Sequence, residues 1–452
     1  MDNLFVEKSG KRDRIFDVGG RQAAQQEAFN QNKAKALCMS AKGMQGAFFS
    51  FSAAGSDCSK EEAGMNKADA VVIGGGIIGC STAYYLARAG LHPVLLEKNG
   101  IGEGTSSACD GFIMLQTKKP GLPLRMAMSS AKLYEGLTEE LGYDIQYRRP
   151  GGLVLIETEE MKKIMEGVVK EQIREGMEVE FINNDRIRAL EPLVSKDIPA
   201  AVYSELDGDV SPIYTTRAFA KKAAELGAEI KTHTPVRGVH IEDGAVAGVL
   251  TDEGEIRTDI VVNAAGVWSP MVGEMMGTPI PVRPRRGHIV VSEAVARVLQ
   301  HEITDARYIA IKHDPSLVER AKDPTFHLGI SLSMEQTENG NFLIGSAREF
   351  AGYNTDARFD ILKGICEYST RFFPALRNLN MIRCFVGMRP YCEDGSPIIS
   401  PISTVKGAYI ATGTEGDGIA LAPITGRTIS EMILHRETEF DMTPFSYDRF
   451  LK

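Results

Sequence analysis

Glycines at 74, 76 and 79, spaced Gly-x-Gly-x-x-Gly and followed by an acid at Glu97, are the residues whose arrangement points most directly to chemistry. Glycine at the first position permits a tight turn. At the second it lets backbone approach a pyrophosphate, and at the third it allows close helix–strand packing. Ile77 and Ile78 then open a helix whose unpaired N–H groups attract phosphate, while Glu97, with Lys98 beside it, is placed to accept from ribose hydroxyls. The spacing alone recurs by chance in glycine-rich chains, so the flanking elements decide whether it means a nucleotide site.

Those elements fall in order. Residues 70–73 form a short apolar run of the kind buried on both faces in a parallel sheet, and they run straight into the glycines. STAYYLARAG follows as a helix stopped by Gly90, then PVLLEK as a second strand ending in Glu97. GIGEGTSSACDG (100–111) comes next, offering Thr105, Ser106 and Ser107 where a flavin chain would extend. A nicotinamide enzyme would normally continue with further regular βα units. RTDIVVNAAGVWS (257–269) reads as another strand running into a glycine turn, with Ala264 and Gly266 at the turn. GAYIATGTEGDGIALAPITGRTISEMI (407–433) reads as strand, glycine loop and amphipathic helix, with Gly416, Asp417, Gly418 and Ile419 at the junction. Three separated strand–glycine units imply a discontinuous α/β, Rossmann-type FAD-binding domain with a second domain inserted.

Composition sets the outer bounds. A chain of 452 residues exceeds one compact core and suffices for two domains. The formal net charge of -9 offers no basic footprint for nucleic acid. Seven scattered cysteines, an odd number without a C-x-x-C, argue against a disulfide framework and against a zinc or iron–sulfur site held by this chain alone. The eight histidines show no metal spacing, so no metal is expected. No apolar run reaches the roughly 18–20 residues of a membrane span. A reducing cytoplasm is the expected setting, with peripheral attachment at the inner face of a membrane left open.

Residues 1–66 mix Gln, Ala, Ser, Gly and Lys without sustained periodicity, and MNKADAVVIGGG then begins abruptly as a buried strand would. Met65 therefore reads as a natural start, with the preceding segment either a disordered or non-native appendage or a docking arm for a partner.

Taken in order, GGGIIG with Glu97, GTSSACDG, DGDVSP (207–212), THTPV (232–236), VVNAAGVWS, PVRPRRGH (281–288), FLIGSAREFAGYN (342–354), GMRPYCEDGSPII (387–399) and GTEGDGIALAPITG (413–426) make the chain resemble the D-amino-acid oxidase family of FAD-dependent oxidoreductases over about residues 68–440. Within that family it is most similar to the flavin subunits of hydrogen cyanide synthase, opine oxidase and dye-linked proline dehydrogenases. The resemblance implies non-covalent FAD, with Val236 and Gly387 added to the cofactor contacts. It also implies hydride transfer from the carbon next to nitrogen to flavin N5, giving an imine that water hydrolyses. It further implies a hetero-oligomer with a second flavin subunit and an iron–sulfur subunit, passing electrons to a carrier or quinone.

By the same resemblance Arg389 matches the position that grips the substrate carboxylate, a task suited to a planar guanidinium fork. The alternative for Arg389 is a structural ion pair with Glu393 or Asp394. The helix beginning near Gly418 would aim its positive end at reduced flavin, with Pro423 in its first turn. His288 could face the ring or be a packing residue, and Tyr353, Tyr308 and Gln336 are candidates for lining the pocket. The Cys that tethers flavin in some sarcosine oxidases aligns near Gly387, not Cys392. The oxygen-activating Lys aligns near Leu343, which favours a dehydrogenase over an oxidase.

The expected architecture gives residues 67–118, 206–275 and 385–452 to the FAD domain. Residues 119–205 and 276–384 form an α+β substrate domain on an antiparallel sheet, with SSAKLYEGLTEELG and EMKKIMEGVVKEQIREG helical and a hairpin at Asn339-Gly340. The expected activity is FAD-dependent oxidation of a small amino acid or amine. Oxidation of a 2-hydroxy acid or glycerol phosphate, and a non-catalytic flavin relay subunit, are the alternatives.

Overall fold

The computed structural model describes residues 67–451, so the extension 1–66 lies outside the described residues. The apolar run Ala70–Ile73 is the centre of a six-stranded sheet whose order is Ile398–Pro401, Ala408–Thr412, Val261–Asn263, Ala70–Ile73, Pro93–Leu96, Glu229–Lys231. All neighbours are parallel except the antiparallel edge strand Ile398–Pro401. Alternation explains the unbroken hydrophobicity. Ala70 and Val72 enter one core with the helices Ile77–Arg88, Pro212–Glu225 and Gly418–Ile433. Val71 and Ile73 enter another with Val239, Val246 and Val249 of a three-stranded antiparallel sheet, Val236–Glu242, Ala245–Thr251 and Gly254–Arg257. Both faces are covered, as parallel strands require.

A larger sheet of eight strands runs Met381–Cys392, Val282–Ala294, Asn341–Gly345, Ser333–Gln336, Glu302–Asp305, Gly152–Ile156, Ala200–Ser204, Glu180–Asn183. It is antiparallel except where Glu302–Asp305 meets Gly152–Ile156. The expected domain border at 384/385 falls inside Met381–Cys392, which pairs with Val282–Ala294 along its length; the GMRP segment is therefore part of this sheet. Helices occupy Leu122–Glu135, Leu137–Leu141 and Glu159–Arg174, the last capped by Thr158, whose hydroxyl accepts from Met161 N at 3.2 Å. The Asn339-Gly340 hairpin forms, but only Gly340 takes positive φ (86°). The turn is thus a longer one closed by a left-handed glycine, not the two-residue type with both residues left-handed.

Pro423 departs from expectation. The helix begins at Gly418, so Pro423 lies in its interior, beyond the first turn, and its missing N–H leaves the carbonyl of Ile419 without the usual helical donor. The buried Tyr134 hydroxyl donates to that carbonyl at 2.7 Å. A side chain from Leu122–Glu135 thereby completes the helix that closes the nucleotide sheet.

Candidate active site

The strand ends and loops of both sheets open on one cleft. It is lined by Gly74, Gly76, Ile77, Ile78, Glu97, Lys98, Thr105, Ser106, Val236, Ala264, Gly266, Gly387, Arg389, Gly416, Asp417, Gly418 and Ile419. Segments more than three hundred residues apart in sequence thus converge, as the motif order required.

At one end the glycine loop is set by backbone crowding. Gly74 has φ 115°, and a Cβ there would lie 2.6 Å from the Ala264 carbonyl oxygen; one on Gly79 would lie 1.9 Å from the Gly74 oxygen. Gly79 thus holds helix against strand and does not itself line the cleft. Ile77 N donates to Ser106 Oγ (3.0 Å), while the amides of Ile78 and Gly79 donate to none of the described residues. Unpaired first-turn amides facing a cleft suit a phosphate. Glu97 accepts from Gly75 N (2.7 Å) and Asn99 N (2.8 Å), so it braces the loop as well as facing the cleft. Lys98 Nζ lies 3.4 Å from the centre of the Trp268 ring, and burial lowers its pKa. Thr105 donates to the Met388 carbonyl (2.6 Å), tying the loop to the eight-stranded sheet. Ser107 is exposed and falls outside the lining.

At the other end Arg389 enters from Met381–Cys392. Period-two alternation puts Gly387 and Arg389 on the cleft side, the side that Gly287 and Ile289 of the paired strand also line. The same alternation removes His288. It is wholly buried on the opposite face, accepts from Arg358 N (3.3 Å) and lies 3.9 Å from Glu349, and burial lowers its pKa. Tyr353 is also outside the lining. It is 43 % exposed, its hydroxyl donates to the Val267 carbonyl (2.9 Å), and its ring stacks on Trp268, which does line the cleft. Gln336 is buried and holds backbone groups of residues 295–299, whereas Tyr308 lines the cleft. Leu343 and Cys392 do not line it. A Cβ on Gly387 would lie 2.4 Å from the Ala108 carbonyl oxygen, so a tethering cysteine has no room there.

Both acids weighed as ion-pair partners of Arg389 are engaged elsewhere, Glu393 with Arg283 (3.6 Å) and Asp394 with Arg449 (2.7 Å). Arg389 Nη1 donates to the Ala347 carbonyl (3.0 Å), and neither Nε nor Nη2 bonds to a described residue. Burial and then the neighbouring Arg348 guanidinium push its pKa below the ordinary arginine value. An anion here would relieve that cost.

Sequence reasoning missed several groups at this end. Asp110 and Arg348 sit inside quoted motifs, but nothing in their spacing announced a role. Lys118 carried no signal at all, yet it is buried and pairs with Asp417 at 2.8 Å. Burial raises the Asp110 pKa against the pull of Arg389. Burial also opposes ionisation of Asp417 and Glu415, but Lys118 and Lys312 prevail at Asp417, and Lys312, Arg348 and Arg285 at Glu415, so both carboxyls are held below their ordinary values. Among the described residues no group of three His, Cys, Asp or Glu is placed to hold a metal, and no helix is long and apolar enough to cross a membrane.

The amides of Gly418, Ile419 and Ala420 also donate to none of the described residues, so the positive end of a sixteen-residue helix opens on the cleft. Two amide-bearing helix starts, a glycine cradle and a strand-end acid along one cleft fit an extended dinucleotide with a reactive ring at the far end.

Comparison with known proteins agrees. The chain is 28% identical over 430 residues to the hydrogen cyanide synthase subunit HcnC of Pseudomonas aeruginosa, covering 85% of this chain and 97% of that one. It is 30% identical over 389 residues to the glycine oxidase of Bacillus subtilis, covering 84% and 97%. The crystal structure of L-proline dehydrogenase from P. horikoshii superposes with a TM-score of 0.77 at 28% identity, covering 86% of this chain and 98% of that one. Residues 69–432 match the family described as FAD dependent oxidoreductase, and the chain belongs to this family, the DAO family.

Proposed function

We propose that this chain oxidises the carbon–nitrogen bond of a small amino acid or secondary amine, and that Arg389 positions the substrate through its carboxylate. The observation that carries this reading is the Arg389 guanidinium: it reaches the cleft from the eight-stranded sheet with its Nε–Nη2 edge unpaired and the nearby acids paired elsewhere. FAD, when bound, supplies a two-electron acceptor that takes hydride from the carbon beside nitrogen and leaves an imine for water to hydrolyse. The protein's share is geometry and charge. A fork held by Ala347 fixes the carboxylate in two directions, and hence the angle of the α-carbon. The free amides of Gly418, Ile419 and Ala420 stabilise negative charge that develops at the ring. A neutral amine needs no general base, and His288 and Tyr353 act behind the wall. The names of two relatives, a glycine oxidase and an L-proline dehydrogenase, support an amino-acid substrate.

The nucleotide layer, residues 67–118, 206–275 and 393–452, holds FAD without a covalent bond, and the eight-stranded sheet supplies the substrate wall. The HcnC relative is by name a subunit, which supports a hetero-oligomer. An anaerobic titration read at the flavin absorbance band tests the activity. Glycine, sarcosine, proline, hydroxyproline and opines are compared with 2-hydroxy acids and glycerol phosphate. Bleaching by amines is expected; bleaching by hydroxy acids alone would overturn the reading.

A further inference from the structure

The substrate end of the cleft holds a second guanidinium that a single carboxylate leaves unused. Arg348 follows the strand Asn341–Gly345 and lines the cleft with Arg389. Its carbon centre lies 3.8 Å from the centre of the Tyr308 ring, so the ring occupies one face of the guanidinium and leaves its edge to make hydrogen bonds. Nη1 donates to Ser331 Oγ (2.7 Å) and Ser346 Oγ (3.3 Å). Nε is buried without a hydrogen-bond partner among the described residues, and Nη2 donates to none of them. The acid nearest Nε is Glu415 at 3.9 Å, and it already accepts from Arg285 at 2.8 Å. A buried N–H without an acceptor is costly, and an Nε–Nη2 edge is shaped for two parallel bonds to a carboxylate.

The charges around this end leave the same gap. Asp417 is taken by Lys118, and Glu415 by Arg285. Asp110 is the remaining acid, and burial favours its neutral form. Arg389 therefore faces the cleft without a committed anion, Arg348 has only a distant share in Glu415 at 3.9 Å, and the Arg348 guanidinium lowers the Arg389 pKa. One substrate carboxylate satisfies only the first.

We propose that Arg348 binds a second carboxylate, so that the preferred substrate is an amine carrying two carboxylates, one held by each arginine. This rests on the amine-oxidation reading above. Arg348 is then a specificity residue: it does not touch the bond that is broken, but it selects which amine is seated beside Arg389.

The test uses the full-length flavin-loaded protein and matched ligands. Dissociation constants for glutarate and butyrate are read from perturbation of the flavin spectrum. Values of kcat/KM with an artificial dye acceptor are compared for iminodiacetate against sarcosine and for each glutamate enantiomer against the matching glutamine. Glutarate is expected to bind at least about tenfold tighter than butyrate, and the best dicarboxylate to exceed its monocarboxylate partner by at least about tenfold, the effect of one charge-assisted bond. Arg348→Met should collapse both ratios to within about threefold, and Arg348→Lys, which keeps the charge but loses the fork, should fall between.

Equal binding of glutarate and butyrate by the unsubstituted protein overturns the proposal with no variant needed. So does an Arg348→Met protein that keeps its ratios while its flavin potential shifts, since Arg348 would then serve the ring. If no amine bleaches the flavin but glutarate is still preferred and Arg348→Met abolishes that preference, the amine reading fails and the two-anion site stands.

Discussion

A Cβ on Gly287 would lie 2.1 Å from Arg389 Nη1, so the guanidinium crosses the sheet through the space that only glycine leaves at that position. The two are diagonal neighbours on paired strands, Gly287 opposite Gly387 and Arg389 opposite Arg285. Gly287→Ala should therefore displace the clamp without removing its charge. Each lost charge-assisted bond contributes about 1.5–3 kcal/mol, so both Gly287→Ala and Arg389→Ala should raise KM for the best amine by about a hundredfold or more. Steady-state kinetics at matched FAD content check this, and saturation unchanged in Arg389→Ala would refute the clamp.

The glycine loop separates a folding role from a binding role. Gly79→Ala puts a methyl 1.9 Å from a backbone oxygen, so loop or helix must shift, and poor soluble yield is expected. Gly76→Ala meets only Ser106 Oγ at 3.4 Å, so the chain should fold while the methyl projects into the cleft. FAD affinity should fall at least about tenfold in Gly76→Ala with melting of the flavin-free protein within a few degrees of the unsubstituted chain. Equal FAD affinity in the two chains would remove Gly76 from the cofactor site.

Much of the cleft lining was legible because most of its residues at the glycine-loop end sit in short strand–glycine units whose local pattern is strong. These positions were readable because the pattern depends on backbone conformation at glycines and not on the identity of side chains distant in sequence. The failures share a different origin. His288 belongs to a strand whose facing is decided by register with Met381–Cys392, where a shift of one residue exchanges cleft for core. Tyr353 sits in a loop that carries no periodic pattern and is placed by its contacts with Val267 and Trp268. Arg348 and Lys118 gain their meaning from partners distant in sequence, Tyr308 and Asp417. Pro423 looked like a first-turn proline because the compensating donor, Tyr134, lies almost three hundred residues earlier.

That donor gives the next prediction. Tyr134→Phe leaves the Ile419 carbonyl buried with neither a helical nor a side-chain partner. An orphaned buried acceptor costs about 1–3 kcal/mol. Chemical denaturation should show a loss of that size with an unchanged slope, and Pro423→Ala, which restores the N–H, should recover part of it in the double variant. Simple additivity of the two changes would show that they do not share the carbonyl.

Flavin attachment can be settled directly. With no room for a cysteine at Gly387 and Cys392 outside the cleft lining, acid or heat should release all the flavin into the supernatant. Fluorescence that stays with the polypeptide on a denaturing gel would show a covalent link, for which Cys109, in the cleft wall, is the residue to substitute first.

The pH response of stability should carry the mark of Asp207. This carboxyl is fully buried, accepting from Leu115 N and Gln116 Nε2 at 2.6 Å each, and burial raises its pKa from 3.8 to about 6 despite those bonds. The folded chain therefore holds the proton more tightly than the unfolded one. Stability from this group is complete below about pH 3.8 and is lost as pH rises to about 6. The loss amounts to about 3 kcal/mol, two pKa units at about 1.4 kcal/mol each. Asp207→Asn cannot ionise, so the other carboxyls cancel when the two chains are compared. The melting temperature of the unsubstituted protein minus that of Asp207→Asn should fall steadily between pH 4 and 6 and level off above 6. A difference that stays flat across that window would mean that Asp207 folds already ionised, its two donors outweighing the burial.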